Sequence, residues 1–149
     1  KERKFTLATA ESCTGGLLSG RLVNVSGVSE VFHEGFITYS NEAKRKNLGV
    51  NKETLDNYGA VSKQTAEEMV KGVAENANSD TAIAITGIAG PEGGTPEKPV
   101  GLVYIACWVD GKVTIREYKF KGDRQKVREN TVVSALDLLR RCIIKCETE

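Results

Sequence analysis

The chain has 149 residues, enough for one domain with its own hydrophobic core. Its 21 basic and 20 acidic residues nearly cancel, so the basic excess typical of nucleic-acid-binding proteins is absent. No apolar run approaches the roughly 18–20 residues that span a bilayer, and no signal-peptide pattern precedes the first strand-like segment. We expect one cytoplasmic domain over residues 1–149, without nucleic-acid or membrane partners. Because the first residue is Lys1 rather than Met, we expect it to have been trimmed or cut from a longer protein.

The hydrophobic pattern of the first half predicts two strands, each followed by a helix: Phe5–Ala10, Gly15–Val25, Phe32–Tyr39 and Asn41–Leu48. Leu18, Leu22 and Val25 give the first helix one apolar face. Gly49 is a natural stop for the second helix, because glycine readily adopts the left-handed conformation that ends helices.

The second half predicts a helix, a buried strand, a strand pair and a closing helix: Lys63–Asn78, Thr81–Thr86, Gly101–Val109, Val113–Phe120 and Arg124–Cys146. Ser62 is a predicted N-cap, and Asp110-Gly111 is a strong hairpin signal between the paired strands. The segment from Gly87 to Pro99 holds four glycines and all three prolines, which predicts a loop. The predicted fold is α/β, a three-layer α/β/α sandwich around a mixed, mostly parallel sheet of about five strands with one antiparallel pair.

The cysteine and histidine content excludes several common kinds of site. The four cysteines form no Cys-x-x-Cys pair: Cys13, Cys107, Cys142 and Cys146. We interpret Cys142 and Cys146, one turn apart on the apolar stripe of the last helix, as small core residues in a reducing compartment. His33 is the single histidine, so a multi-histidine metal site is impossible. Neither GxGxxG nor a Walker A motif occurs, and we expect no metal and no cofactor.

The first loop, from Ala10 to Gly16, offers a candidate nucleophile. Its two glycines, Gly15 and Gly16, can bring free backbone N–H groups to a helix start, where they would stabilise a phosphate or an oxyanion. Ser12 just before this turn is a candidate nucleophile, although Ser12 or Thr14 could instead only cap the helix. Cys13 is the rival nucleophile. Neighbours in an extended segment face opposite sides, so we favour Ser12 for the site and Cys13 for the core.

Lys44 is the candidate base for Ser12. It lies in the first turn of the predicted short helix, where the helix dipole and partial burial would lower its pKa. Tyr39, at the end of the preceding strand, could relay a proton between Lys44 and Ser12. The alternative is an ordinary exposed lysine on a helix surface.

Five segments in order resemble the CinA C-terminal domain family, the nicotinamide-nucleotide amidases: TAESCTGGLLSGRL, FITYSNEAK, YGAVSKQTAEEM, AITGIAGPEGGTPEKPVGLVYIA and FKGDRQKVRENT. The resemblance implies an α/β/α amidohydrolase that converts nicotinamide mononucleotide to nicotinate mononucleotide and ammonia. It also implies that Ser12, Tyr39 and Lys44 are the catalytic residues. With the loop glycines Gly15 and Gly16, the expected substrate-binding residues are Thr14, Gly59, Ala60, Val61, Ser62, Thr86, Gly87, Ala89, Gly90 and Arg124.

Two other functions stay open on the sequence alone. One is a non-catalytic nucleotide-binding module that serves a partner domain, and the other is deamidation of a different small amide. For all three functions the expected ligand is a small molecule. For the amidase and for the binding module it is a nucleotide. The resemblance also implies that a larger pyrophosphatase-like domain can precede this one, and homo-oligomer formation is left open.

Overall fold

A computed structural model describes the backbone of residues 1–148 and the side chains of residues 1–145. Its elements in chain order are β1 (Leu7–Glu11), α1 (Leu17–Leu22), a 3₁₀ turn (Val28–Glu30), β2 (Phe32–Ile37), α2 (Asn41–Leu48), α3 (Lys52–Tyr58), α4 (Lys63–Ala77), β3 (Thr81–Gly87), β4 (Leu102–Val109), β5 (Lys112–Lys119) and α5 (Arg124–Thr148).

The five strands form one mixed sheet in the order β2-β1-β3-β4-β5. β1 pairs in parallel with β2 and with β3, whereas β3–β4 and β4–β5 are antiparallel. Four strands therefore point the same way and β4 alone runs against them. The predicted antiparallel pair β4–β5 is confirmed, and β3–β4 is a second antiparallel pair that was not predicted, because β4 returns from β3 through the glycine- and proline-rich loop.

The two faces of the sheet carry side chains of different size. On one face the strands present alanines, and α4 packs against them with five buried residues: Ala66, Met69, Val70, Val73 and Ala74. The other face presents branched residues such as Ile83, Ile85 and Val103, which α1 and α5 cover. The alternation of alanine and isoleucine along β3 thus builds two cores from one strand. The three-layer α/β/α prediction is confirmed.

Two cysteines were predicted on the apolar stripe of the last helix, Cys142 and Cys146. Cys142 was expected to be a core residue, but it is only half-buried. Cys146, expected beside it, lies outside the described side chains.

Local signals located most helix ends correctly. Ser62 accepts a hydrogen bond from the Thr65 N–H and caps α4, and Ser40 accepts one from the Ala43 N–H and caps α2. Gly49 ends α2 in the left-handed conformation, as predicted. The first helix is shorter than predicted: it ends at Leu22, which leaves Val25 exposed. Helix α3 was not predicted, because its seven residues bury only Leu55 and so carry no clear apolar period.

The helix layer beside the alanine face is closely packed. A Cβ atom on Gly72 of α4 would overlap the backbone carbonyl of Leu48 at the end of α2. Glycine at this position lets the two helices approach, and this approach holds α2 over the sheet edge where the candidate site lies.

Candidate active site

Three parallel strands end at the same edge of the sheet, and a cleft of about 280 Å³ opens there. Strand pairing sets Glu11 of β1 beside Ile37 of β2 and Ile85 of β3, so the loops that follow these strands meet. Ligand sites of α/β sheets commonly lie beyond the carboxyl ends of the strands. The cleft is lined by Ser12, Cys13, Tyr39, Lys44, Ala60, Val61, Thr86, Gly87, Ile88, Ala89, Gly90, Glu92, Gly93 and Arg124.

Lys44 and Ser12 meet at the floor of the cleft. The Lys44 amine donates to Ser12 Oγ at 3.1 Å and to the carbonyls of Thr38 at 2.8 Å and Tyr39 at 3.5 Å. The lysine side chain is only 1% exposed, so the alternative of an ordinary surface lysine is wrong. In its neutral form the amine could direct two N–H bonds to the carbonyls and its lone pair to the serine hydroxyl.

Burial lowers the pKa of Lys44 to about 8, because an ammonium ion is poorly solvated in the protein interior. At this pKa a substantial fraction of the amine is neutral near physiological pH. A neutral amine 3.1 Å from a hydroxyl is a competent general base for it.

Cys13 packs into the core between the sheet and α5, as predicted from the alternation of facing. Its side chain is 6% exposed, and burial raises the pKa of the thiol to about 11. The sulfur therefore stays protonated at neutral pH and is a poor nucleophile.

Glu11, which was not predicted from the sequence as a site residue, organises the loop around Ser12. Its carboxylate is fully buried and accepts hydrogen bonds from Thr14 Oγ1, the Leu18 N–H, the Ser19 N–H and Ser19 Oγ. The side chain thus takes up the N–H groups at the start of α1. The Leu18 and Ser19 N–H groups at the start of α1 are therefore not free to face a ligand, contrary to the expectation, because the Glu11 carboxylate already accepts their hydrogen bonds.

Arg128 of α5 holds the same loop from its other side. Its guanidinium donates to the carbonyls of Cys13 and Thr14, both at 3.0 Å. Glu11 and Arg128 both hold the loop that presents Ser12, Glu11 through Thr14 Oγ1 and Arg128 through the carbonyls of Cys13 and Thr14. No sequence signal pointed to Arg128, since it lies 115 residues from Cys13.

The side-chain hydroxyl of Tyr39 contacts Arg124, whereas the backbone carbonyl of Tyr39 accepts a hydrogen bond from Lys44. Its hydroxyl accepts a hydrogen bond from Arg124 Nη2 at 3.1 Å, and Arg124 Nη1 donates to the Gly90 carbonyl at 2.8 Å. Among the described residues no hydrogen bond joins the Tyr39 hydroxyl to Ser12 or Lys44. The lysine contacts the serine directly, so the proton relay through Tyr39 stays a prediction that this arrangement does not require.

Most of the expected binding residues line the cleft, and several do not. Ala60 and Val61 form one wall, where Thr86 Oγ1 donates to the Ala60 carbonyl at 2.7 Å. Gly59 and Ser62 lie behind this wall, where they support the start of α4. The three expected residues after Cys13 are outside the cleft lining: Thr14, Gly15 and Gly16. Glu92 and Gly93 line the cleft and were not predicted, because the loop that carries them has no regular pattern.

The family follows from comparison with known proteins. Residues 1–143 match the CinA C-terminal domain. The chain belongs to the CinA C-terminal domain family. It is 60% identical over 144 residues to a relative from Clostridium beijerinckii whose name associates it with competence-damage induction, covering 97% of this chain and 35% of that protein. It is 57% identical over 140 residues to a CinA-like protein of Kosmotoga olearia, covering 94% of this chain and 34% of that protein.

Solved structures share the fold of this CinA domain. The competence/damage inducible protein CihA of Agrobacterium tumefaciens matches with a TM-score of 0.92 at 46% identity, over 94% of this chain and 86% of that one. The competence damage-inducible protein A of Klebsiella pneumoniae matches with a TM-score of 0.93 at 38% identity, over 96% and 89%. The chain spans about a third of the length of the curated relatives it matches. Within the described part of the chain, no helix combines the length and the apolar composition that a membrane span requires.

The Glu11 network of this CinA domain can be tested by Glu11→Gln. The amide keeps the size of the side chain but turns an N–H donor toward backbone N–H donors, which leaves buried groups unpaired. We expect the free energy of unfolding to fall by about 1–3 kcal/mol or more, measured by urea denaturation. Glu34→Gln on the exposed edge strand β2 is the matched control and should change it by less than about 0.5 kcal/mol. Equal effects of the two substitutions would contradict the role given to the buried carboxylate.

Proposed function

We propose that this domain is an amidohydrolase that deamidates nicotinamide mononucleotide through the hydroxyl of Ser12. The observation that carries the proposal is the buried Lys44 amine, 3.1 Å from Ser12 Oγ and with its pKa lowered to about 8. Burying a lysine amine costs free energy even when it is hydrogen-bonded, which favours a functional reason for its position, and serine–lysine pairs are an established variant of nucleophilic catalysis.

The proposed first step forms a covalent intermediate on Ser12. Neutral Lys44 takes the hydroxyl proton as Ser12 Oγ attacks the carboxamide carbon, and the Lys44 ammonium then gives that proton to the carboxamide nitrogen, which leaves as ammonia when the C–N bond breaks. The carbonyls of Thr38 and Tyr39 hold the ammonium in place between these two transfers. The N–H of Cys13, which follows the nucleophile at the edge of the cleft, is the donor that we assign to the oxyanion.

The second step hydrolyses the acyl–serine ester. Lys44, neutral again, activates a water molecule that attacks the same carbon, and Ser12 leaves with the proton. This requires water and the side chains already in the cleft, so the proposed reaction uses neither a metal nor a cofactor.

Arg124 is the residue that we assign to the phosphate end of the substrate. Its guanidinium lines the same cleft as Ser12 and lies at the first residue of α5, where the helix dipole also favours an anion. The hydroxyl of Tyr39 and the carbonyl of Gly90 hold the guanidinium across the cleft mouth. In this proposal Tyr39 positions Arg124 and does not transfer a proton.

We further propose that residues 1–149 form one amidohydrolase domain of a longer cytoplasmic protein, with a pyrophosphatase-like domain as its neighbour. The lengths of the relatives are consistent with a further domain. The alternative function is a nucleotide-binding module without activity. Such a module could use the cleft and Arg124, but it has no need for a lysine buried against a serine.

The decisive experiment measures ammonia release from nicotinamide mononucleotide, nicotinamide riboside, NAD and free nicotinamide. We expect the mononucleotide to have the highest kcat/KM. Ser12→Ala should abolish release, whereas Cys13→Ala should retain most of it, because Cys13 contributes packing and not chemistry. Binding of the mononucleotide without ammonia release would favour the binding module, and faster release from another amide would change the substrate.

The pH dependence of the same reaction tests Lys44. The base must be neutral, so kcat/KM for the mononucleotide should rise with pH and level off above the lowered pKa of about 8. Lys44→Met fills the same space without a base and should reduce kcat by about 10²–10⁴-fold. A rise that continues to the ordinary lysine pKa near 10.5 would argue against a buried, neutral amine as the base.

The phosphate assignment is tested by Arg124→Ala. Loss of a charge-assisted contact worth about 1.5–3 kcal/mol should lower kcat/KM for the mononucleotide by about 10- to 150-fold, mainly through KM. The riboside, which has no phosphate, should be nearly unaffected. Arg140→Ala, on the exposed face of α5, is the charge control.

Tyr39→Phe should raise KM by about 2- to 10-fold with kcat unchanged, since it removes one neutral hydrogen bond to Arg124. A large loss of kcat in Tyr39→Phe would instead support proton transfer through Tyr39.

A further inference from the structure

The Ser12 cleft has one carboxylate that takes no part in the steps proposed above. Among the described lining residues, three side chains can carry a charge near neutral pH: Lys44, Arg124 and Glu92. Lys44 is buried against Ser12, whereas Glu92 is exposed. Glu92 is thus the only negative charge that this lining offers to a ligand.

Glu92 lies in a short arch, residues 90–94, that packs against Val100 at both ends. A Cβ atom on Gly90 would overlap the Val100 side chain, and one on Gly94 would lie 2.8 Å from the Val100 nitrogen. Glycine at these two positions lets the arch fold closely against the returning chain. The backbone on each side of Glu92 is therefore held, which limits where the carboxylate can reach.

Arg124 approaches this arch but does not pair with Glu92. Its guanidinium donates to the Gly90 carbonyl at 2.8 Å and to the Tyr39 hydroxyl at 3.1 Å. In the part of the chain that the structure describes, no ion pair or hydrogen bond involves the Glu92 carboxylate. A cation and an anion therefore line the same cleft without neutralising each other. Such a lining is complementary to a ligand that has one anionic and one cationic group.

The substrate of the proposed reaction has this pair of charges. Its phosphate is anionic, and its pyridine ring is cationic because the ring nitrogen also carries the ribose. When the phosphate is at Arg124 and the carboxamide is at Ser12, the ring lies beside the carboxamide in the same cleft. A carboxylate attracts a cation over several ångströms, so Glu92 need not touch the ring to favour its charge.

We propose that Glu92 is a specificity-determining residue, whose carboxylate selects nucleotides with a cationic pyridinium ring over those with a neutral ring. The inference rests on the proposed function, because it takes a pyridine nucleotide as the ligand of the Ser12 cleft. The ring keeps its positive charge while Ser12 attacks the carboxamide, so the attraction is the same in the ground state and in the transition state. Glu92 therefore contributes to binding and not to the chemical step.

The test compares nicotinamide mononucleotide with its reduced form, which has a neutral dihydropyridine ring and the same carboxamide, ribose and phosphate. Dissociation constants are measured by isothermal titration calorimetry in a Ser12→Ala background, which prevents turnover. Glu92→Gln should weaken binding of the oxidised form by about 3- to 10-fold and leave that of the reduced form nearly unchanged. Glu97→Gln is the matched control, because it removes the same charge from an exposed position of the same loop outside the cleft lining. It should change neither constant.

Two further measurements separate an effect of charge from a change in the loop. Salt should reduce the preference for the oxidised form, because ions screen an exposed carboxylate, whereas the phosphate contact is common to both forms and cancels in their ratio. With Ser12 present, Glu92→Gln should raise KM for the mononucleotide by the same factor with kcat unchanged. Equal weakening of both forms in Glu92→Gln, or the same change of the ratio in Glu97→Gln, would overturn the role given to Glu92.

Ammonia release by the unsubstituted domain separates this inference from the proposed function. Release combined with an unchanged binding ratio in Glu92→Gln would overturn the inference alone. A changed ratio without release would overturn the amidase and support Glu92 as a determinant of nucleotide binding. Failure of both forms to bind would overturn both proposals.

Discussion

The amine of Lys44 lies in the protein interior, 3.1 Å from Ser12 Oγ and 2.8 Å from the Thr38 carbonyl. Removing an ammonium ion from water costs free energy, which is why its pKa is lowered to about 8. The end of β2, the start of α2 and the loop after β1 each supply one side of this contact. None of these segments can move without leaving a buried polar group unpaired, so the geometry of the whole cleft depends on it.

The two faces of the sheet support different helices. Alanines on one face and Gly72 in α4 let the helices lie close to the sheet, which brings Lys44 and the wall at Ala60 to the strand ends. The larger side chains of the other face support α5. This helix reaches both ends of the sheet: near its start Arg124 lines the Ser12 cleft and Arg128 contacts the loop that carries Ser12, and near its end Cys142 lines a second cavity between β5 and α5. A shift of α5 relative to the sheet would therefore change the structure at both ends of the sheet.

The sequence by itself determined the parts of this protein that rest on neighbouring residues. The caps at Ser40 and Ser62, the stop at Gly49 and the turn at Asp110-Gly111 depend on side chains or backbone angles within a few positions. The apolar spacing of α4 fixed which of its faces is buried. Strand and helix alternation was enough for the fold class, and the ordered loop motifs were enough for the family. The choice of Ser12 and Lys44 as candidate site residues followed from their positions in loops, since the carboxyl ends of parallel strands share one edge of the sheet.

Only the tertiary structure decided which side chains meet, because these contacts join distant parts of the chain. Arg124 reaches the Tyr39 hydroxyl across 85 positions, a contact that nothing in the sequence around Tyr39 indicates. Glu11 could be recognised as the anchor of the first loop only once α1 had folded over it. Helix α3 carried too few buried residues to be predicted, and its place depends on packing against α4. Periodicity and capping are local in sequence, whereas burial and hydrogen-bond partners of charged groups are set by the whole fold.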